Sequence, residues 1–285
     1  MSVNYRTGIN QFLKFGTGAT ATTYAGRVTG GEIAGDSGLV WRPSVGGKAG
    51  RGYGMWRGGG RATIEVADAT LLNYFQRSSW TSPAMTALTF EGGTSSAGEA
   101  FTQTGCYINE LELAMAVGDP LSATIAWLAG NEAPQAAPSI PTPAATHWEW
   151  FQGGCTILSS TRHLQRLSIS VSNGLDPLSS IETKTTNSLR LPEGFKIGYE
   201  RVTFSATMLE YPGTALWQVY GDNPTAVVTL SATVTDGTHT LTASVAAGSV
   251  STARMPFEAE DGAVLWDISG ECTPNESTAF TLSYS

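Results

Sequence analysis

The chain has 285 residues, enough for one large domain or two of ordinary size, and 41% of them are hydrophobic, so a substantial core can form. Only 14% are charged, which disfavours long solvated helices, and the net charge of −8 argues against a protein that wraps nucleic acid. No apolar run approaches the roughly 20 residues of a membrane span. The first six residues lack the apolar core of a secretion signal, and we therefore expect synthesis in the cytoplasm.

The first unusual element in chain order is the Gly-rich segment 42–61. It carries five positive charges and no acidic residue. Its glycines predict a long loop or a flexible hairpin. Three interpretations are open: binding of single-stranded nucleic acid with help from Tyr53 and Trp56, docking on an acidic surface of a neighbouring copy, or a solvated loop. The strongly acidic remainder of the chain favours docking between copies.

Two short helices are predicted, and each lies between two strands. The first, Asp68–Arg77, follows a strand over 62–66 and precedes one over 87–90. The second, Pro212–Tyr220, follows a strand over 202–209 and precedes one over 226–230. The repeated strand–helix–strand order predicts a mainly β, duplicated fold in which one short helix packs on a β-sandwich or barrel in each half.

The clearest strand signal is a hairpin whose turn is Gly118-Asp119-Pro120. Apolar residues alternate before the turn, at 111, 113, 115 and 117, and after it, at 121, 123, 125 and 127. Because side chains alternate between the two faces of a strand, Glu110 and Glu112 are expected opposite the apolar face. Similar alternation over 167–171 and 202–208, and the turn sequence at 235–238, predict further strands in the second half.

A Pro-rich segment separates the two halves. Four prolines occur between Asn131 and Thr146, and proline interrupts both helices and central strands. We therefore predict a first domain over 1–132, a Pro/Ala-rich linker over 133–146, and a second domain over 147–285.

No residue pattern predicts catalysis, a cofactor or a metal site. Gly35-Asp36-Ser37-Gly38 is similar to the serine loop of chymotrypsin-like proteases, but no histidine precedes it as that triad requires. Histidine and cysteine spacings do not match a zinc site. The cysteines are odd in number and widely spaced, which predicts buried free thiols at Cys106, Cys155 and Cys272. We expect neither an enzyme nor a bound cofactor.

The segment Gly105–Gly130 resembles the tail tube proteins, or major tail proteins, of long-tailed bacteriophages. The resemblance rests on a Gly-Cys-x-Ile-Asn-x-Leu stretch beginning at Gly105, a turn, and a Leu-x-Ala-Thr strand that ends near Gly130. Leu164–Leu175 and Arg201–Tyr220 resemble further strands and a short helix of the same family.

The resemblance implies a structural virion protein of the phage tail. Such subunits form rings that stack into a tube through which DNA passes, and their fold is two packed sheets flanked by a helix, with the inner sheets joining into a tube-lining β-barrel. Because single-domain relatives are expected to form six-fold rings, two tube domains per chain predict rings of three chains. The implied partners are other copies of the chain, the tape-measure protein and tail-end proteins, with DNA only in transit and no membrane.

This reading assigns roles to particular residues. Glu110 and Glu112 are expected to face the lumen, where their charge would repel DNA phosphate. The Gly-rich segment is expected to make the ring-to-ring contact through Lys48, Arg51, Met55, Trp56, Arg57 and Arg61. The alternative is a carbohydrate-binding or adhesive β-sandwich protein, for which Trp148 and Trp150 are the only close pair of tryptophans that could form a binding platform.

Overall fold

The computed structural model is mainly β-strand, and its described residues contain one short α-helix. It describes residues 11–36, 39–43, 49–53, 56–66, 69–76, 84–94, 100–135, 147–178, 185–186, 189–209, 228–254, 265–272 and 280–285. The strands of the first half are β1 (Gln11–Gly16), β2 (Thr23–Tyr24), β3 (Arg27–Asp36), β4 (Leu39–Pro43), β5 (Ala49–Tyr53), β6 (Arg57–Glu65), β7 (Leu88–Thr94), β8 (Ala100–Ala116), β9 (Ser122–Ala129) and β10 (Asn131–Gln135). The helix α1 (Thr70–Asn73) follows β6.

The second half begins with a 3₁₀ turn at Trp150–Gln152. Its strands are β11 (Gly153–Ile157), β12 (Ser160–Thr161), β13 (Leu164–Ser172), β14 (Asp176–Leu178), β15 (Thr185–Thr186), β16 (Leu189–Arg190), β17 (Gly194–Lys196), β18 (Arg201–Met208), β19 (Val228–Thr235), β20 (Thr240–Arg254), β21 (Trp266–Cys272) and β22 (Phe280–Tyr284). A mainly β fold is thus confirmed. The predicted second helix, Pro212–Tyr220, lies outside the described residues.

One long sheet runs through both halves. Its strand order is β3-β6-β9-β8-β13-β18-β21-β20, with every neighbouring pair antiparallel. The first four strands belong to the first half and the last four to the second, and the two sets meet where β8 pairs with β13. We refer to these eight strands as the long sheet.

Two further sets of strands lie against one face of the long sheet. The first cover sheet is β10-β8-β7-β1-β2, and the second is β12-β11-β19-β20-β22. Strands β8 and β20 belong to both layers, because each pairs with a cover sheet over its first part and with the long sheet over its last part. A register shift marks the change of layer in each strand, as expected where a bulge bends a strand.

The two halves pair their strands in the same order. The long-sheet order is β3-β6-β9-β8 in the first half and β13-β18-β21-β20 in the second. In both halves the last two strands are therefore in reverse chain order. The strands of the two cover sheets correspond in the same way. Helix α1 follows β6, the second of the long-sheet strands in the first half. The domain division at 132 and 146 stays a prediction. Strand β10 extends to Gln135 and includes Pro134. Among the described strands β10 pairs on one side only, and proline is tolerated in such an edge strand.

The core lies between the long sheet and its cover sheets. Phe90 of β7 stacks on Trp127 of β9, with 4.3 Å between ring centroids, and joins the first cover sheet to the long sheet. Around the junction of the halves, Leu113, Leu167 and Ile169 of the long sheet meet Ala232, Val234 and Leu241 of the second cover sheet. All eight side chains are buried in one hydrophobic cluster, so the two halves share a continuous core.

Two side-chain amides, one of them fully buried, secure the junction between the halves. The Asn173 side chain, 1% exposed, donates to the Phe75 carbonyl beyond α1 at 3.2 Å and to the Ile108 carbonyl of β8 at 3.1 Å. The Asn109 side chain accepts from the Leu175 N–H at 2.7 Å. Because buried amides that lose their partners are costly, these bonds fix β13 against β8.

Candidate functional surfaces

The face of the long sheet that points away from the cover sheets is polar. Strand alternation buries Leu111 and Leu113 at 1% and 6% exposure, whereas Glu110 is exposed and Glu112 is half-buried on the opposite face. The Ser168 hydroxyl of β13 donates to the Glu112 carboxylate at 3.2 Å. Serines and threonines continue this polar face across the sheet in register: Thr63, Thr124, Ser170, Thr203, Ser205 and Ser269.

Charges of both signs are distributed over this polar face. Arg27 pairs with Glu65 at 3.3 Å and Arg201 with Glu271 at 3.4 Å, on strands of the first and second half respectively. The described charged residues of the face are seven acids and six arginines, namely Glu32, Asp36, Glu65, Glu110, Glu112, Asp267 and Glu271 with Arg27, Arg57, Arg61, Arg166, Arg201 and Arg254. The face is therefore close to neutral rather than strongly acidic.

The long sheet ends in two strands that are paired on one side only. Among the described strands, β3 pairs with β6 alone, and the 249–254 part of β20 pairs with β21 alone. Backbone donors and acceptors along the outer side of each strand are thus available to another strand.

The described parts of the Gly-rich segment are β-strands, and one of its predicted contact residues is in the core. β4 and β5 form a hairpin, and residues 57–61 belong to β6 of the long sheet, with Arg57 and Arg61 exposed. Trp56 is only 3% exposed, and a Cβ at Gly35 would lie 2.9 Å from its indole nitrogen. Trp56 is therefore not on the surface of the folded chain, because glycines of neighbouring strands leave room for its ring inside the protomer. Lys48 and Met55 lie outside the described residues, as does the Arg51 side chain.

Sequence reasoning also missed a buried polar network under the long sheet. Gln103 of β8, 0% exposed, accepts a 2.7 Å hydrogen bond from the Trp127 indole N–H and donates to the Gly59 carbonyl at 3.0 Å and the Glu132 carboxylate at 2.7 Å. No local pattern distinguishes Gln103 from a surface glutamine, since its partners are 24 to 44 residues away in the chain.

The described residues offer little support for a binding platform or a metal site. Trp148 is 2% exposed and packs against Tyr284, so Trp148 and Trp150 do not form the exposed aromatic pair that a carbohydrate platform needs. Within the described residues, no group of three or more His, Cys, Asp and Glu side chains could hold a metal ion. His239 contacts Asp236 at 3.4 Å in an exposed turn, which is local turn chemistry.

The three cysteines are free and buried, as predicted. Burial raises the pKa of the Cys106 and Cys155 thiols to about 12. At pH 8 these two thiols are therefore protonated, with about a thousandfold less thiolate than an unshifted cysteine. We expect no reaction of the folded chain with an aromatic disulfide reagent within an hour at pH 8, and three reactive thiols per chain in concentrated urea. Rapid labelling of the folded chain would contradict this burial.

Over the described residues, a long sheet with one covered face and one polar face defines a mainly β protein. A family model described as phage tail tube protein matches residues 74–273, more than two thirds of the chain. The chain therefore belongs to the phage tail tube protein family. No curated protein matches it significantly. The matched region includes the β8–β13 junction and most of the long sheet.

Family membership makes the chain a structural component of the bacteriophage virion, located in the tail, where subunits of this family assemble into a tube. No helix among the described residues has the length and hydropathy to cross a membrane.

Proposed function

We propose that the chain polymerises as stacked rings into the phage tail tube, the conduit through which DNA passes into the host. The observation that carries this proposal is the long sheet, which is covered on one face and polar on the other. Its two terminal strands pair on one side only among the strands that the structure describes. Joining such strands between copies would satisfy the remaining backbone groups and close the sheets into a barrel that lines the tube.

The polar face is the proposed wall of the lumen, with Glu110 and Glu112 directed toward the channel. A near-neutral surface of Ser and Thr with balanced charges offers no cationic track for phosphate, so DNA would slide past without specific binding. The proposed partners at the ends of the tube and inside it are tail-end proteins and the tape-measure protein.

Three chains per ring is the proposed stoichiometry. Because the strands of the two halves pair in the same order, each half would occupy one of six equivalent positions around a pseudo-six-fold axis. The 1–132 and 147–285 domains would then be two successive units of the ring, with the 133–146 linker between them.

The contact between stacked rings is proposed to involve the β4–β5 pair and the predicted contact residues Lys48, Arg51 and Met55. Arg57 and Arg61, expected in the same contact, belong to β6 and to the polar face of the long sheet. The position of the β4–β5 pair in the chain, directly before β6, puts its base at the border of the long sheet. Electrostatic pairing with an acidic surface of the next ring would make stacking sensitive to salt.

Cryo-electron microscopy of the purified full chain tests this proposal. We expect hollow tubes built of rings with three chains each, with the polar face of the long sheet inside and the β4–β5 hairpin between rings. A map with six chains per ring would refute the trimer, and a map with Glu110 and Glu112 on the outer surface would refute the lumen assignment. Monomers at all concentrations and salt conditions would refute polymerisation itself.

A further inference from the structure

We infer that β3 of one copy pairs with the 249–254 part of β20 in the next copy, in the register that the chain already uses where its own β8 and β13 meet. The inference rests on the proposed assembly and adds to it the two strands, their alignment and the charged residues that favour it. The partner is a second copy of this chain.

The pairing of β8 with β13 can serve as a template for the contact between copies, because the strands of the two halves have register shifts at corresponding positions. The β8–β9 pair shifts register at Asn109 and the β20–β21 pair at Ser251, while the β3–β6 pair shifts at Thr29 and the β13–β18 pair at Gln165. The change of layer adds a third coincidence, since β7–β8 shifts between Leu88 and Phe90, and β19–β20 between Val228 and Leu230. Shared bulges at corresponding points align the halves residue by residue.

These bulges fix two constant offsets in the numbering. Each residue of β8 corresponds to the residue 142 positions later in β20, as Asn109 does to Ser251. Each residue of β13 corresponds to the residue 136 positions earlier in β3, as Gln165 does to Thr29. By this correspondence, the pairing of β8 with β13 within one chain is the model for the pairing of β20 with β3 of the next copy.

The internal register can therefore be carried over to the contact between copies. Within the chain Glu110 is opposite Ser172 and Glu112 is opposite Ser170. The corresponding pairs are Thr252 opposite the partner copy's Asp36 and Arg254 opposite its Ala34. These residues are on the polar face of their strands, because Ala253, between Thr252 and Arg254, and Ile33, next to Ala34, pack against the core.

Charge supports this register. Arg254 would face Ala34 with Glu32 and Asp36 on either side of it on the same face, where a long side chain reaches both. In the internal junction the corresponding residues Glu112 and Ser168 make a 3.2 Å hydrogen bond, and the equivalent contact between copies is an Arg254–Glu32 ion pair.

The neighbouring strands extend this alternation of charge. Arg61 and Arg57 of β6 are opposite Glu32 and Asp36, and Asp267 of β21 is opposite Arg254. From β6 through β3 to β20 and β21 of the next copy, the signs would run positive, negative, positive, negative. A shift by one residue would place Arg254 on the apolar face and lose this order.

A pair of engineered cysteines tests the register. The variant Asp36→Cys with Thr252→Cys is assembled under reducing conditions and then oxidised, and non-reducing electrophoresis should show covalent multimers that end at a closed ring. The matched control, Ala34→Cys with Thr252→Cys, is two residues out of register and should give at least about tenfold less cross-linking, since diagonal pairs are about 7–8 Å apart. The three native cysteines are buried and give little background.

The two possible failures are distinguishable. If the native chain forms rings but only the control variant cross-links, or neither does, the register is wrong and the proposed function stands. If the native chain forms no rings or tubes under the microscope, the proposed function fails, and the junction with it.

A charge cycle provides a second readout that does not need cysteines. Glu32→Gln and Arg254→Gln should each weaken association between copies about fivefold, and the double variant should be no weaker than either single variant. Additive effects of the two substitutions would overturn the ion pair. Arg162→Gln, outside both strands, is the matched control and should leave association unchanged.

Discussion

Replacing Trp127 by alanine is expected to lower the free energy of unfolding by about 4 kcal/mol. The indole is 2% exposed and stacks on Phe90 of the first cover sheet, so its removal leaves a cavity between the two layers. Its N–H also donates to Gln103 at 2.7 Å, and truncation leaves that buried amide oxygen without its donor. The loss of packing and the loss of the hydrogen bond both occur where β9 pairs with β8, the strand that belongs to both layers.

Urea denaturation followed by circular dichroism measures this loss. Trp150→Ala is the matched control, because Trp150 is 39% exposed and its truncation should cost less than about 1 kcal/mol. A second variant, Trp127→Phe, keeps most of the packing and removes the hydrogen bond. We expect it to lose about 1–2 kcal/mol, which separates packing from the polar network. Equal stabilities of Trp127→Ala and Trp150→Ala would contradict the packing described for the two layers.

The sequence predicts those strands that have one covered and one polar face. The hairpin of β8 and β9 alternates at a period of two, and the structure buries Leu111 and Leu113 while Glu110 stays exposed. The period depends only on local backbone geometry, so it can be recognised without knowing the partner strands. The helix α1 falls within the predicted helical segment Asp68–Arg77, and four of the described residues of that segment are helical.

Glycine misled the prediction for the segment before α1. Gly58, Gly59 and Gly60 suggest a loop, yet they lie in a strand that is paired on both sides. Their lack of side chains accommodates neighbours, since a Cβ on Gly58 would collide with Trp56 and one on Gly60 with Trp127. A single sequence does not reveal whether a glycine supplies flexibility or space, because the neighbour that needs the space is remote in the chain.

The order of strands in the long sheet is also beyond local reasoning. β8 and β13 are each recognisable, but their pairing depends on contacts between residues about 60 positions apart, such as Asn173 with Ile108. The bulges at Asn109 and Ser251, which align the halves, produce no periodic pattern in the sequence from which they could be recognised. Duplication can therefore be suspected from the order of elements, whereas the correspondence of individual residues requires the pairing itself.

The second large effect is expected from a much smaller substitution, Gly270→Ala. Gly270 lies in β21, and Phe204 of the neighbouring β18 places its ring over it. An added Cβ would collide with the Ser249 carbonyl oxygen and would lie 2.6 Å from the Phe204 ring, which a Cβ at Gly248 would also meet, at 2.8 Å. The ring therefore cannot move away without displacing one of two strands.

We expect Gly270→Ala to cost about 3 kcal/mol, because one collision is with backbone and the other with a side chain that is 3% exposed. Gly154→Ala is the matched control, since Gly154 is also in a strand but has no atom within 4 Å of its added Cβ, and it should change stability by less than about 0.5 kcal/mol. The double variant Gly270→Ala with Phe204→Leu tests the cause. The smaller side chain relieves one of the two collisions, so the double variant should lose less than the sum of the single losses. A full sum would mean that the Ser249 carbonyl alone excludes the methyl group, and an unchanged midpoint for Gly270→Ala would show that the Phe204 ring does not occupy the space above this glycine.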